Sequence, residues 1–302
     1  CHEKKVTVIG DMPIYVAHDS AEVWSARELF HLDGAGEPTV VSGVPPDYFS
    51  ATGQRWGNPI YRWDVMAERG FDWWVRRFRM NFTMFDMVRL DHFRGFEGYW
   101  EIPAHEETAE NGRWMPGPGK ALFDVVSGRL GPLAVIAEDL GVITPEVDAL
   151  RDELGFPGMR ILQMAFGTDP KASEYLPHNH IHNCAVYTAT HDHNTTVGWF
   201  TAEPGTQSTQ TPQEVADERD YVRAYLVCDD EPVHWAFVRT ALASTARLAL
   251  FPMQDVLGLG GDCRMNMPGS PHGNWEWRML PGQFTPDMMA RLRETTYVYQ
   301  RC

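Results

Sequence analysis

The stretch MFDMVRLDHFRGFEGYW, residues 84–100, begins as an apolar run and ends in charged side chains. Its alternation predicts a β-strand that places every second residue on one side: Phe85, Met87, Arg89 and Asp91. A guanidinium and a carboxylate then lie side by side at the strand end, where the positive charge lowers the pKa of the carboxyl and keeps it ionised. Such a pair is either a structural salt bridge or part of a reaction centre, and the rest of the chain has to distinguish the two.

Short apolar runs alternate with helical stretches along the whole chain, which predicts an α/β protein with a parallel sheet. About six strands are visible: Lys5–Gly10, Phe82–Leu90, Leu133–Ala137, Gly158–Met164, Cys184–Thr190 and Leu248–Met253. Helices are predicted near residues 61–79, 120–129, 145–154, 212–226, 233–248 and 286–300. Three of these helices follow a Thr-Pro pair, which is typical of a helix start because Thr caps the first turn and Pro presets its backbone.

Acidic and polar residues follow the predicted strands at their carboxyl ends. They are Asp11, Asp91, Glu138, His191 with Asp192, and Gln254 with Asp255. This arrangement describes the active face of a TIM (β/α)8-type barrel, although a doubly wound sheet also binds ligands at this edge. No glycine-rich phosphate loop follows any of these strands, which disfavours a nucleotide-binding fold. A closed barrel needs eight strands, and only six are visible.

The 302-residue chain carries 26 Lys and Arg against 41 Asp and Glu, a net charge of −15. This acidic balance argues against nucleic acid or an anionic membrane as a partner, and it suits a neutral or cationic substrate. The five cysteines are scattered without a Cys-x-x-Cys pair, which is typical of a reducing compartment. With no signal peptide and no apolar run long enough to span a bilayer, the sequence predicts a cytoplasmic protein.

Asp91 and Glu138 lie on different strands and form the minimum set for retaining glycoside chemistry. One carboxylate must be ionised to attack the anomeric carbon of a sugar, and the other must hold a proton for the leaving oxygen. Arg89 keeps Asp91 charged, whereas the apolar run before Glu138 raises the pKa of that carboxyl. Asp192 is a third carboxylate that can bind sugar hydroxyls or oppose oxocarbenium charge. For each carboxylate alone, a strand-end salt bridge remains the alternative.

A histidine-rich stretch, LPHNHIHNC, is the alternative centre of chemistry in this sequence. It contains His178, His180 and His182, and His191 and His193 follow it. Two imidazoles at His-x-His spacing can share a metal ion, as in metal-dependent hydrolases. Here the spacing lies before its strand, on Pro- and Asn-rich loop sequence, which favours hydrogen-bonded loop histidines. We therefore expect no metal and no cofactor.

Two segments rich in Gly, Pro and aromatic residues read as long loops. The first, SGVPPDYFSATGQRWGNPIYRW over residues 42–63, is predicted to be an irregular active-site loop, since long loops in compact domains are usually functional. Its Tyr48, Phe49 and Trp56 could stack on sugar faces and exclude water. The second, MNMPGSPHGNWEWR over residues 265–278, has the same character. A loop held in place by buried aromatic rings is the structural alternative for both.

Six motifs, in the same order as in the family, resemble the 4-α-glucanotransferases of glycoside hydrolase family 77, also called amylomaltases or disproportionating enzymes. They are GDMPIYVAHDSAEVW, GVPPDYFSATGQRWGNPIYRW, RLDHFRGFEGYW, AEDLG, YTATHDHNTT and MNMPGSPHGNWEWR. Together they cover nearly the whole chain. The resemblance implies a barrel enzyme without metal or organic cofactor that acts on α-1,4-glucans and maltooligosaccharides.

The resemblance also assigns roles to individual residues. It implies that Asp91 is the nucleophile, Glu138 the general acid/base and Asp192 the carboxylate that stabilises the transition state. Around the reacting sugar it places Arg89, His92 and His191. It assigns glucan contacts to Asp11, Tyr15, Asp47, Gln54, Trp56 and Asn266, and it puts Tyr48 and Phe49 in a flexible active-site loop. A glucosyl-enzyme intermediate on Asp91 would then be resolved by the 4-hydroxyl of another glucan.

This sequence departs from the family pattern in two places. After His191 and Asp192 the family often continues Asn-Asp, where this chain has His193 and Asn194. Family members also carry a long portion before GDMPIYV, so we expect residues 1–302 to be one catalytic barrel domain without its N-terminal strands, with that portion as a partner. Two alternatives remain: an α-glucan hydrolase or phosphorylase using the same carboxylates, and an inactive glucan-binding fragment.

Overall fold

A computed structural model of the chain describes residues 1–46, 50–205, 210–268, 270 and 272–301. The chain divides into two compact units, which we call unit 1 (Cys1–Gly158) and unit 2 (Met159–Cys302). Three residues singled out in the sequence, Asp47, Tyr48 and Phe49, lie outside the described residues.

Unit 1 combines a parallel and an antiparallel sheet with short helices. Its strands are β1 (Ile9–Met12), β2 (Val40–Val44), β3 (Gln54–Pro59), β4 (Met87–Leu90), β5 (Gly98–Pro103), β6 (Arg113–Pro116) and β7 (Val135–Ala137). Its helices are α1 (Ala21–Ser25), α2 (Trp63–Glu68), α3 (Asp72–Met84), α4 (Gly119–Leu130) and α5 (Pro145–Glu153).

The parallel sheet of unit 1 has the order β1-β4-β7. Asp11 of β1 is in register with Arg89 of β4, and Arg89 is in register with Ile136 of β7. The ladder continues past the strand ends, since the Asp91 N–H donates to the Met12 carbonyl at 3.1 Å and the Glu138 N–H donates to the Leu90 carbonyl at 3.1 Å. Both carboxylates therefore leave the same edge of the sheet on a fixed backbone.

The core of unit 1 is rich in aromatic side chains. Five that are no more than 1% exposed are Trp74, Phe78, Phe93, Phe96 and Phe123. Trp74 and Phe78 come from α3 and Phe123 comes from α4, whereas Phe93 and Phe96 follow the charged end of β4. Fully burying one such ring stabilises a fold by roughly 1.5–3 kcal/mol. The turn after Asp91 is thus anchored by its own phenylalanines.

The prediction of an irregular loop over residues 42–63 is wrong at both ends of that segment. β2 pairs antiparallel with β3 and with β5, in a sheet of order β3-β2-β5-β6. The sequence does not reveal these strands, because glycine and proline interrupt the apolar pattern of both. The pairing of the two strands is also irregular, with a register shift between Val41 and Gly43. Two further strands, β5 and β6, also escaped prediction because their alternation is short.

The six predicted strands are all present but shorter than predicted. The strand predicted over Phe82–Leu90 begins only at Met87, because α3 continues to Met84. The apolar residues near the end of α3 serve the helix: Phe82 packs against the core, and its ring centroid lies 6.0 Å from that of Phe78. A run that changes from helical to strand spacing without Gly or Pro carries no mark of its boundary.

Unit 2 contains mainly helices around a small sheet of order β10-β9-β8. Its strands are β8 (Gly158–Ile161, which starts at the last residue of unit 1), β9 (Cys184–Tyr187) and β10 (Leu248–Leu250). Its helices are α6 (Thr196–Thr201), α7 (Pro212–Leu226), α8 (Val233–Ala243), α9 (Met253–Leu257) and α10 (Pro286–Val298). β9 and β10 pair in parallel, and Trp235, Val238, Leu242 and Val256 form a buried cluster beside them. Within the described ranges, no helix has the length and apolar character needed to cross a bilayer.

The Thr-Pro pairs mark helix starts as predicted. α5, α7 and α10 begin at Pro145, Pro212 and Pro286. Thr211 forms a full capping box with Glu214, and Thr285 accepts a hydrogen bond from the Met288 N–H. Thr144 makes no such cap, because its hydroxyl bonds the Glu146 carboxylate instead.

Candidate active site

A buried arginine joins two carboxylates at the edge of the parallel sheet in unit 1. Arg89 Nη1 lies 2.9 Å from each carboxylate oxygen of Asp11, and Arg89 Nη2 lies 2.9 Å from Asp91 Oδ1. The arginine side chain is 8% exposed, whereas those of Asp11 and Asp91 are 38% and 35% exposed. Burial lowers the pKa of Arg89, but Asp91, Glu138 and Asp11 raise it by more, so the guanidinium stays charged. The predicted ion pair is present, and Asp11 shares it.

Glu138 has the opposite electrostatic environment. Burial raises the pKa of its carboxyl to about 8, against a lowering by Arg89 and with a further rise from Asp91. Its two oxygens accept hydrogen bonds from backbone groups, Oε2 from the His92 N–H at 2.7 Å and Oε1 from the Leu140 N–H at 3.2 Å. These bonds fix the carboxyl group in place, while desolvation keeps a proton on it at neutral pH.

The two strand ends therefore place their carboxyl groups in opposite electrostatic environments. Asp91 contacts a permanently charged guanidinium and is available as an anion. Glu138 is available as an acid below about pH 8. An anionic nucleophile beside a proton donor is the requirement for double displacement at an acetal carbon.

Tyr15, Trp56 and His92 form an aromatic group in unit 1. The ring centroids of Trp56 and His92 lie 4.7 Å apart at an interplanar angle of 88°. The ring centroid of Tyr15 lies 6.3 Å from that of Trp56 and 6.4 Å from that of His92. Gln54 accepts a hydrogen bond from Trp56 Nε1 at 3.1 Å, and Trp56 remains 38% exposed. The structure thus brings together four residues that were predicted to contact or surround the sugar.

His92 is held in an unusual backbone conformation, with φ of 49°. A left-handed conformation in a residue with a side chain requires support from its surroundings. Here the N–H that this conformation directs outward donates to Glu138. Burial lowers the pKa of the imidazole to about 3, so the ring is neutral. Its Nε2 atom is buried and has no hydrogen-bond partner in the part of the chain that the structure describes.

In unit 2, Asp192 is oriented by its neighbours after β9. Asn266 Nδ2 donates to Asp192 Oδ1 at 2.6 Å, and His191 Nε2 lies 3.2 Å from Asp192 Oδ2. The Asn266 N–H also donates to the His191 carbonyl at 3.0 Å. Three residues that were predicted separately, from two distant motifs, are therefore in direct contact.

Arg264 is a member of this cluster that the sequence did not reveal. Its Nη2 donates to the Asp192 carbonyl at 2.6 Å and its Nε donates to the Asn266 carbonyl at 2.7 Å. Burial lowers the pKa of Arg264, and Asp192 counteracts that effect. The only hint in the sequence was its position immediately before the motif that begins at Met265.

A cavity of about 280 Å³ opens beside this cluster, at the carboxyl ends of β9 and β10. Its lining includes His191, His193, Gln254, Arg264 and Trp275. The Trp275 ring lies 5.0 Å from that of His191 and is half exposed. The cavity is lined by polar side chains together with the aromatic ring of Trp275, a combination that is usual in small-molecule sites.

The three histidines of the LPHNHIHNC stretch bond separate partners. His178 Nδ1 lies 2.7 Å from the Tyr225 hydroxyl, His180 Nε2 lies 2.8 Å from the Tyr175 carbonyl, and His182 Nδ1 lies 3.1 Å from the Thr245 carbonyl. Over the residues that are described, no group of three or more His, Cys, Asp or Glu side chains is placed to hold a metal ion.

His193 and Asn194, where the sequence departs from the family pattern, bond within unit 2. His193 Nδ1 lies 2.7 Å from the Thr190 hydroxyl. The Asn194 side chain accepts from the Thr195 N–H at 2.8 Å, and its carbonyl accepts from Gln163 Nε2 at 3.0 Å. These contacts tie the segment after Asp192 to its own neighbours.

Comparisons with known proteins identify the family of the chain. A family model described as 4-alpha-glucanotransferase matches residues 1–283. The 4-alpha-glucanotransferase of Thermus thermophilus is 53% identical over 98% of the chain, and that of Synechocystis is 50% identical over 99%. The chain spans 58% of the length of each of these relatives.

Solved structures give the same picture. An amylomaltase from Streptococcus agalactiae in complex with acarbose superposes with a TM-score of 0.91 at 41% identity, over 99% of this chain and 58% of that one. An amylomaltase from Corynebacterium glutamicum, 18% identical, superposes with a TM-score of 0.75 over 95% of this chain and 46% of that one, and so shares the fold. The chain therefore has the α/β fold of these structures.

Proposed function

Because the chain belongs to the 4-alpha-glucanotransferase family, glycoside hydrolase family 77, we propose that it carries the site which transfers α-1,4-glucan segments between maltooligosaccharides. One observation carries this proposal. Two carboxyl groups leave neighbouring parallel strands in opposite electrostatic environments, Asp91 beside the buried Arg89 and Glu138 with its pKa raised by burial to about 8.

The reaction proceeds by retaining double displacement. In the first step, a carboxylate oxygen of Asp91 attacks the anomeric carbon of the donor glucan. The glycosidic bond breaks, and the leaving 4-oxygen takes the proton of Glu138. In the second step, ionised Glu138 removes the proton from the 4-hydroxyl of an acceptor glucan, whose oxygen displaces Asp91 from the anomeric carbon. A new α-1,4 bond forms, and both carboxyl groups return to their starting states.

Three further residues of unit 1 have the chemistry to bind the donor sugar. Trp56 offers an exposed indole ring for stacking on a sugar face. His92 offers a buried, neutral imidazole whose Nε2 is available for a hydroxyl. Asp11 has a carboxylate that Arg89 orients. Tyr15 and Gln54 hold Trp56 and complete the proposed set of glucan contacts.

For unit 2 we propose that Asp192 stabilises the oxocarbenium-like transition state, with His191 and Asn266 orienting it. The amide of Asn266 fixes one carboxylate oxygen and the imidazole of His191 lies beside the other. A carboxylate held at both oxygens opposes positive charge without reorganising during the reaction.

We propose a TIM (β/α)8-type barrel as the fold that carries these groups. The parallel order β1-β4-β7 and the parallel pair β9–β10 support it, since each set has catalytic candidates after its carboxyl ends.

The direct test is to incubate the purified chain with maltotriose and resolve the products over time. Transfer predicts glucose together with a ladder of longer maltooligosaccharides. A second incubation includes isotopically labelled glucose, which a transferase incorporates at the reducing end of longer glucans. A hydrolase would instead release glucose and maltose with no labelled oligosaccharide.

Asp91→Asn, purified in parallel, is the control for contaminating activity. The amide cannot act as the nucleophile, so product formation should fall by about 10⁴-fold or more. Transfer that survives this substitution at the wild-type rate would contradict the assignment of Asp91.

A further inference from the structure

Asp255 is a fully buried carboxylate that the proposed reaction does not use. It lies in α9 and is 0% exposed. Its Oδ2 accepts hydrogen bonds from the hydroxyls of Thr188 at 2.6 Å and Thr196 at 2.7 Å, and its Oδ1 accepts one from the Thr196 N–H at 2.7 Å. Three donors converge on one buried acceptor pair, which is an arrangement that strongly restricts the groups involved.

The two threonines are the ends of a single segment. Thr188 immediately follows β9, whose last residue is Tyr187, and Thr196 is the first residue of α6. Residues 189–195 lie between them and include His191 and Asp192. Asp255 therefore holds both ends of the segment that carries the third proposed catalytic carboxylate.

Asp255 is itself firmly placed. Its carbonyl oxygen lies 2.7 Å from His234 Nδ1, which links α9 to α8. The neighbouring Val256 packs in the buried cluster with Trp235 and Val238. Asp255 therefore connects the packed helices α8 and α9 to the segment after β9.

We propose that Asp255 is a positioning residue for Asp192, which it serves by clamping both ends of residues 189–195. This inference rests on the proposed function, because it assigns a purpose to the placement of a carboxylate in that reaction. Arg264 and Asn266 fix Asp192 directly, from its carbonyl and side chain. Asp255 fixes the two ends of the segment whose central residue, Asp192, makes those contacts. It does not touch the substrate, so its effect on the rate is transmitted through the clamped segment and chiefly through Asp192.

The test is a double-mutant cycle between Asp255→Ala and Asp192→Asn. Fluoride release from α-maltosyl fluoride is the assay, because this activated donor keeps slow variants measurable. Rates are normalised to the folded fraction from circular dichroism. In the wild-type background, Asp255→Ala should lower kcat by about 10²-fold, and in the Asp192→Asn background by less than about 3-fold. Equal losses in the two backgrounds would overturn the proposal and leave Asp255 with a structural role only.

Milder variants keep the test decisive if Asp255→Ala does not fold. Thr188→Val and Thr196→Val each remove one hydroxyl from the clamp, and each should lower kcat by about 3–10-fold in the wild-type background only. Asp255→Asn should retain most activity, since its amide oxygen can accept from the Thr196 N–H and its NH2 group can donate to the threonine oxygens. An equal effect of the threonine variants in both backgrounds would overturn the proposal as firmly as the alanine result.

A control separates positioning from loss of stability. Val222→Ala, at a fully buried position in α7, should lower the melting temperature and leave kcat per folded molecule unchanged. The wild-type protein reports on the proposed function independently. If it neither transfers glucan nor turns over the fluoride, the function fails; if it does both and the cycle is additive, only the role of Asp255 fails.

Discussion

The two units hold their proposed catalytic carboxylates by different physical means. In unit 1, Asp91 contacts the guanidinium of Arg89, a permanent charge that is nine-tenths buried. In unit 2, the arginine near Asp192 donates to main-chain carbonyls, and the carboxylate itself accepts from the amide of Asn266. The first arrangement sets a charge state and the second sets an orientation. A nucleophile must be ionised, whereas a transition-state stabiliser must be correctly aimed.

The largest effect that sharpens this contrast is expected from removing the proton donor of unit 1. Glu138→Gln should lower kcat on maltotriose by about 10²–10⁴-fold, because the leaving oxygen loses its acid. With α-maltosyl fluoride the loss should be much smaller, since fluoride departs without a proton. Steady-state rates with both donors measure this. Equal losses would contradict the role of Glu138 as the acid.

The pH dependence of the wild-type rate tests the role of Glu138 independently. Since burial raises the pKa of Glu138 to about 8, kcat/KM should fall as the pH rises through that value.

A matched pair of arginine substitutions tests directly whether the two units hold their carboxylates by different means. Arg89→Lys should lower kcat by about 10²-fold, because one ammonium cannot replace a fork that bonds both Asp11 and Asp91. Arg264→Lys should cost only about 10-fold, because it weakens contacts to carbonyls rather than to a carboxylate. Rates and melting temperatures of the two variants, measured side by side, decide the point. The reverse order would mean that the orientation set in unit 2 contributes more to the rate than the charge state set in unit 1.

Asn266→Asp converts the neutral arrangement of unit 2 into a charged one. Two adjacent carboxylates share a proton near neutral pH, so Asp192 can no longer be reliably ionised and aimed. We expect kcat to fall by about 10–10²-fold and its optimum to move to higher pH. Asn266→Ala is the comparison, since it removes the same hydrogen bond without adding charge and should leave the optimum in place.

The smallest effect concerns stability rather than rate. Burial raises the pKa of Glu138 from 4.5 to about 8, so the folded state binds this proton more tightly than the unfolded state. The resulting stabilisation is complete below the unfolded pKa and is lost as the pH rises through about 8. The melting temperature should therefore fall a few °C more between pH 5 and 8.5 in the wild type than in Glu138→Gln. Parallel slopes for the two proteins would exclude this residue as a source of the pH dependence.

The part of the fold that sequence predicted well is the part with strong local patterns. β4 and β7 are apolar runs that a charged residue follows directly, and α7 begins with a complete capping box, whereas β1 overlaps its predicted range of Lys5–Gly10 only at Ile9 and Gly10. The antiparallel sheet was not predicted over residues 42–63, because Val40–Val44 and Gln54–Pro59 gain their stability from cross-strand bonds between distant segments. Such contacts leave little trace in any one stretch of sequence.

The contacts of the candidate site likewise divide into those that local sequence patterns predicted and those that they did not. The pairing of Arg89 with Asp91 follows from strand alternation, so two residues of spacing were enough to predict it. The contact of Asn266 with Asp192 joins positions far apart in the chain, and the sequence did not predict it; the family resemblance gave each residue a separate role at the glucan. Arg264 and the clamp at Asp255 depend on tertiary packing: Asp255 follows a predicted strand, but no local pattern indicates its contacts with Thr188 and Thr196.

The shared guanidinium of Arg89 has a consequence for how natural variation at this site should be read. Positions 11, 89 and 91 form one electrostatic unit, because a single cation pairs with two carboxylates from different strands. A change at any one of them alters the charge balance seen by the other two. Substitutions there are expected to be inherited together, so a homologue that differs at one position should be inspected for a compensating change at the others.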